Sequence, residues 1–291
     1  MARGRRRALG RLAPLILLAL GVACRAPHAS PSPGVSASSV VGDSVATARL
    51  APSPALPSTS TAAPAATPPL REPTALIALA VPGFRDAVVS VPLGATSPRP
   101  LALALHGNFD RPEWQCEVWR RITHGEVFVL CPRGIPRSDV PKDLDRWEWG
   151  SVAKTKSEIL AAVAALRARF PSYVQNGQLV FTGFSLGAIL GARLIQDPQL
   201  DVGAAVLVEG GYQGWTLAKA KALKPRLGRL LFACGQTECR NAYRYQVERL
   251  FQAAEVSSSM VGDVKAGYTY DDPVAALVER EWPGLVASLK Q

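Results

Sequence analysis

Apolar residues fall along this chain in two patterns, short solid runs and longer runs interrupted at helical spacing. Leu101-Ala102-Leu103-Ala104-Leu105 has no polar position, and neither has Ala204-Ala205-Val206-Leu207-Val208. Runs of this length without polar alternation describe strands covered on both faces. Leu76–Ala80, Ala87–Val91, Glu126–Leu130, Leu179–Phe181, Leu227–Phe232 and Ser257–Val261 complete the predicted strands, with Pro82-Gly83 joining the first two. Lys156–Phe170 places Ile159, Leu160, Val163 and Leu166 at helical spacing, and Glu113–Ile122, Ala188–Ile195, Arg240–Ala254 and Val274–Leu289 read as further helices. Strands apolar on both faces, alternating with amphipathic helices, predict a three-layer α/β sandwich around a mostly parallel sheet over residues 73–291. Functional residues in such a sheet gather beyond the carboxyl ends of its strands.

The first 72 residues lack these patterns. Arg3, Arg5, Arg6, Arg7 and Arg11 surround the start of an apolar run, Leu12–Ala23, which ends at Cys24. A charged stretch followed by a short apolar one predicts an export signal over residues 1–24, and the run is too short to cross a bilayer comfortably. Leu20-Gly21-Val22-Ala23 resembles a bacterial lipobox displaced by one position, which implies lipidation at Cys24 and a membrane anchor; simple cleavage near Ala26 or Ala29 is the alternative. Arg6-Arg7 also matches the pair of a twin-arginine signal. Residues 25–72 are rich in Pro, Ala, Ser and Thr and contain no aromatic residue. Such a stretch cannot bury enough apolar area to offset its ordering entropy and reads as an extended tether. The expected location is the bacterial cell envelope, anchored or periplasmic.

Composition adds little beyond this. With 48% hydrophobic and 19% charged residues the chain is of ordinary globular type. Its net charge of +10 falls to +5 without the five leader arginines. No Lys/Arg cluster interleaved with aromatics follows in the sequence, so no nucleic-acid partner is expected.

The candidate chemistry centres on Leu179-Val180-Phe181-Thr182-Gly183-Phe184-Ser185-Leu186-Gly187-Ala188, read as strand, tight turn and helix. Gly183 and Gly187 permit close approach on either side of Ser185, and the Leu186 N–H points to where an oxyanion would form. The plain alternative is a serine capping a helix. In this context Gly-x-Ser-x-Gly resembles the nucleophile elbow of the α/β-hydrolase family. The resemblance covers residues 75–291 and implies an acyl-enzyme mechanism with Ser185 as nucleophile, acting on a small ester- or acyl-containing ligand without cofactor or metal. His106-Gly107-Asn108, 79 residues before the serine, resembles the family's His-Gly loop. It implies the Asn108 N–H as second oxyanion donor and a structural role for His106.

The rest of the triad is less regular. The loop where the acid belongs contains Glu238, and Glu209 after the Ala204–Val208 strand is the second candidate. The family places a histidine after the acid, but His28, His106 and His124 all precede Ser185. Tyr268, in Gly267-Tyr268-Thr269-Tyr270, stands where that histidine would be. An ordinary phenol, with a pKa of about 10, is ionised in about one molecule in a thousand at pH 7. It can donate a hydrogen bond but cannot take the serine proton. Two functions remain open: a serine hydrolase with an incomplete triad, or an inactive homologue that binds ligand.

Five cysteines complete the picture. With Cys24 lipidated, the favoured pairings are Cys116–Cys131 and Cys234–Cys239, as export permits. A zinc site lacks paired Cys-x-x-Cys spacing. Trp147 and Trp149 lie in a long loop where they either wall a pocket or pack the loop onto the domain. Trp114, Trp119, Trp215 and Trp282 read as core or helix-face residues.

Overall fold

A computed structural model describes residues 67–290. The leader, Cys24 and the tether up to residue 66 lie outside the described residues. Among the described residues eight strands form one sheet: β1 (Leu76–Leu79), β2 (Ala87–Ser90), β3 (Leu101–Leu105), β4 (Phe128–Cys131), β7 (Leu179–Phe184), β8 (Val202–Val208), β9 (Arg229–Cys234) and β10 (Ser258–Gly262). Their order is β1-β2-β4-β3-β7-β8-β9-β10. The β1–β2 and β2–β4 pairs are antiparallel, and every other pair is parallel. Two short strands, β5 (Ile135–Pro136) and β6 (Trp147–Glu148), form a separate ribbon in the long loop after β4.

Among the described residues seven α-helices cover the sheet: α1 (Pro112–Ile122), α2 (Val152–Arg169), α3 (Leu186–Leu194), α4 (Leu217–Leu223), α5 (Thr237–Ala242), α6 (Glu248–Ala253) and α7 (Val274–Ala287). The solid apolar strands are divided between two cores. Leu101, Leu103 and Leu105, with Phe181, Leu207 and Phe232, face the side covered by α2, α3, α4 and α6. Ala102, Ala104, Val180, Ala204, Val206 and Ala233 face α1 and α7, where Trp119, Val278 and Trp282 supply the bulk. Large strand residues on one face and small ones on the other follow from the two-residue period of a strand. The result is the three-layer sandwich that the pattern predicts.

Element ends differ from the apolar pattern where local capping signals set them. Helix α2 begins at Val152, not Lys156, because the Ser151 hydroxyl accepts from the Lys154 N–H at 3.3 Å and caps it. Helix α3 begins at Leu186 rather than Ala188. The single helix expected over Arg240–Ala254 is α5, a π-helical segment Tyr243–Val247, and α6. Helix α4 and the β5–β6 ribbon lie outside the elements that the apolar pattern predicts. Packing also reaches back into the predicted tether: Leu70 is buried, and Glu72 pairs with Arg169 at 3.0 Å.

Both favoured disulfides are present. Cys116–Cys131 joins α1 to β4 and Cys234–Cys239 joins the end of β9 to α5, spanning 15 and 5 residues. Loop-closure entropy makes the longer link the more stabilising, about 3 against about 2 kcal/mol. Replacing Cys116 and Cys131 by alanine should therefore lower the urea-denaturation free energy more than replacing Cys234 and Cys239.

Candidate active site

Ser185 stands at the carboxyl end of β7 as the residue before α3, with φ 52° and ψ −114°. A non-glycine residue held there costs about 1–3 kcal/mol. The cause is the closeness of strand and helix. A Cβ on Gly183 would lie 2.6 Å from the Gly187 carbonyl, and one on Gly187 would lie 2.7 Å from the His106 oxygen. The elbow therefore requires both glycines. The Ser185 N–H is held by the Val208 oxygen at 2.9 Å, and the side chain is half-buried.

The loop after β3 lies beside the elbow. His106 is fully buried, with Nδ1 2.7 Å from the Gly107 oxygen and Nε2 2.9 Å from the Arg133 oxygen. Its ring stacks on Trp149 at 4.5 Å, and the Trp149 indole donates to the His106 oxygen at 2.8 Å. Burial pushes the His106 pKa down, against the opposing pull of those carbonyls and of Asp110. Both ring nitrogens face backbone oxygens, so neither is directed at the serine. Asp110 accepts from the Gly107 N–H at 3.3 Å and the Arg111 N–H at 2.8 Å. Among the described residues the Asn108 and Leu186 amides have no hydrogen-bond partner.

Tyr268 meets Ser185 directly: its phenol is hydrogen-bonded to Ser185 Oγ, and its ring packs on Phe184 at 5.1 Å. The other face of this arrangement is Tyr270, which packs on Phe184 at 4.6 Å and donates to Asp110 Oδ1 at 3.1 Å. Burial, with Asp110 beside it, pushes the Tyr270 pKa far up, and burial also raises that of Asp110. Asp110 and Tyr270 thus tie the loop after β3 to the loop carrying Tyr268. Sequence reasoning assigned neither a role. The position of Asp110, two residues beyond the His106-Gly107-Asn108 motif, was the one available signal.

The two candidate acids occupy different surroundings. Glu238 is exposed in the first turn of α5 and makes no hydrogen bond among the described residues. Glu209 is buried at the end of β8, where its carboxylate accepts the Gly235 and Gln236 N–H groups, the latter at 3.0 Å. Burial raises its pKa, and the two N–H groups oppose that. Gly235 in turn accepts from the Gly267 N–H at 3.0 Å, next to Tyr268. Glu209 is therefore linked through Gly235 to the loop that carries Tyr268. His124 lies before β4, 3.0 Å from Glu279. Since β3, β4 and β7 run parallel, it is at the opposite end of the sheet from Ser185.

This arrangement brings together a serine in a strained conformation, two amides without a hydrogen-bond partner among the described residues, a buried carboxylate and a phenol on the serine oxygen. No family model matches the sequence, and no curated protein does. Solved structures match the fold. A Klebsiella pneumoniae protein assigned as a dienelactone hydrolase matches with a TM-score of 0.53 at 19% identity, over 74% of this chain and 99% of its own. FphF, a fluorophosphonate-binding serine hydrolase of Staphylococcus aureus, matches at 0.51 and 13% identity, over 70% and 95%. A Bacillus cereus carboxylesterase matches at 0.50 and 16%, over 70% and 94%. At such identities the likeness is one of fold, and the strand order with its covering helices makes this chain an α/β-hydrolase-fold protein.

Proposed function

We propose that the protein binds an ester- or acyl-containing small molecule at Ser185 and turns it over slowly or not at all, as a hydrolase-fold protein lacking its base. The observation that carries this reading is the Tyr268 phenol on Ser185 Oγ. A general base must accept a proton from the nucleophile; the group that meets Ser185 Oγ here is a phenol and not an imidazole. Removing a triad member leaves about 10³–10⁴-fold acceleration over water from the oxyanion donors and binding. A slow serine hydrolase remains the second reading, favoured by the strained elbow and the Asn108 and Leu186 amides.

Export and anchorage through Cys24 belong to the same proposal. Two disulfides suit an oxidising compartment, and the tether would hold the domain away from the membrane.

Reaction with a fluorophosphonate probe tests the site. Wild-type protein should label slowly at Ser185, and Ser185→Ala not at all. Tyr268→His should raise both labelling and p-nitrophenyl acetate hydrolysis by about 10²-fold or more, the usual worth of a positioned base. Wild-type turnover at the median enzyme rate of about 10 s⁻¹ would contradict the proposal.

The same variant identifies the acid. In the Tyr268→His background, Glu209→Gln should remove most of the gained hydrolysis, whereas Glu238→Gln should leave it intact. The opposite result would return the role to Glu238.

A further inference from the structure

The sequence shows no run of basic residues interleaved with aromatics, but the fold assembles one. The β5–β6 ribbon and the 3₁₀ turn Lys142–Leu144 border a cavity of about 440 Å³. Its charged lining is Arg85, Arg137, Lys142, Asp145 and Arg146, four cations against one carboxylate. That carboxylate is already engaged: Asp145 binds the Arg111 guanidinium and accepts the Trp147 indole N–H at 2.9 Å. Arg137 is paired with Asp139 at 2.5 Å and Glu148 at 3.4 Å. Among the described residues, Arg85, Lys142 and Arg146 have no carboxylate within ion-pair distance.

Two of these three cations are held in place. Arg146 lies over Trp114 at 4.7 Å and over Phe109 at 5.4 Å, and it donates to the Leu144 oxygen at 2.6 Å. Arg85 lies over Trp147 at 5.3 Å. A guanidinium fixed on an aromatic ring keeps its N–H fork available at little further entropic cost. The cavity also adjoins the oxyanion loop. Arg137 donates to Asn108 Oδ1 at 2.5 Å, and the Phe109 N–H donates to the Trp147 oxygen at 3.0 Å.

We infer that this cavity is an anion subsite, which holds a carboxylate or phosphate group of the same small molecule whose acyl or ester carbon lies at Ser185. The inference rests on the proposed function for its second half alone. Three unpaired cations around one cavity attract negative charge, and guanidinium groups match the planar oxygens of carboxylate and phosphate. A nucleic acid fits less well. Trp147 is buried beneath the guanidinium groups of Arg85 and Arg133, and the exposed rings of Trp114 and Phe109 each already lie against two guanidinium groups, so stacking a base would displace them.

Titration of the full chain at low ionic strength with inorganic phosphate and, separately, succinate tests the subsite. Saturable one-to-one binding of at least one of them is expected, and the stronger of the two identifies the chemistry. Lys142→Gln with Arg146→Gln should weaken it at least tenfold, Arg85→Gln singly should weaken it too, and Arg249→Gln on the exposed surface of α6 should not. No binding, or equal binding in all variants, overturns the inference, as does an oligo(dT) that binds more tightly than either anion through the same residues. A second arm uses Tyr268→His protein with two fluorophosphonate probes, one ending in a carboxylate and one in its methyl ester. Labelling should be at least tenfold faster with the carboxylate and lose that preference in the Lys142→Gln, Arg146→Gln background. Equal labelling by both probes overturns the link to Ser185. Absence of labelling by either overturns the role of Ser185, and the phosphate and succinate titrations then decide the subsite by themselves.

Discussion

Strand β7 and helix α3 approach more closely than side chains allow, and the site depends on that approach. Gly183 lies against the Gly187 peptide, and Gly187 lies against the carbonyls that end β3. Between them Ser185 is forced to a positive φ. The strain is sustained by β7, which is buried and parallel to both neighbours, with Leu103 paired to Phe181 and Thr182 to Val206. A sheet whose strands are apolar on both faces, covered by helices on each side, is stiff enough to hold one residue in a disfavoured conformation. The hydroxyl is thereby presented at the edge of the sheet, and the Leu186 amide beside it.

Three buried carboxylates organise the loops around that hydroxyl by one device. Asp110 accepts two backbone N–H groups after β3, Glu158 accepts those of Arg133 and Gly134 after β4, and Glu209 accepts two after β9. In each, burial raises the pKa and the N–H groups oppose it. Backbone amides in loops have no ladder partner, and a buried carboxylate has too few donors; each supplies what the other lacks. Glu158 also explains the placement of His106, because the segment it clamps carries the Arg133 oxygen that faces the ring. The loop bearing Tyr268 is fixed from outside the sheet, by Tyr270 on Asp110 and by Arg121 on Asp271 and Asp272. The phenol on Ser185 is thus held by a connected set of contacts rather than by one loose loop.

The sheet was legible in the sequence because most of its strands are short solid apolar runs bounded by turn residues, unlike the longer leader run Leu12–Ala23. The elbow was legible because Gly183, Ser185 and Gly187 sit at the junction of such a run with a helical pattern. Helix ends were less so: Ser151 caps α2 at a position where the apolar periodicity has not yet begun. The choice between Glu209 and Glu238 could not be made from sequence, since both follow strands and what separates them is burial and the Gly235 and Gln236 amides. The Arg85, Arg137 and Arg146 cluster was invisible for a similar reason. Its members are spread over some sixty residues and meet only when the ribbon folds against the loop after β3. Trp147 and Trp149, adjacent alternating positions, were read as one feature, but one borders that cluster and the other stacks on His106.

The central claim is that no imidazole takes the proton from Ser185. The most direct test is the pH dependence of whatever ester hydrolysis the wild-type protein shows above the Ser185→Ala background. A free imidazole titrates near 6.5 and burial pushes that of His106 lower, so catalysis by an imidazole gives an inflection between about pH 4 and 7.5. The account predicts a rate that rises smoothly through that interval without one. An inflection there that disappears in His106→Asn or His124→Asn would contradict it.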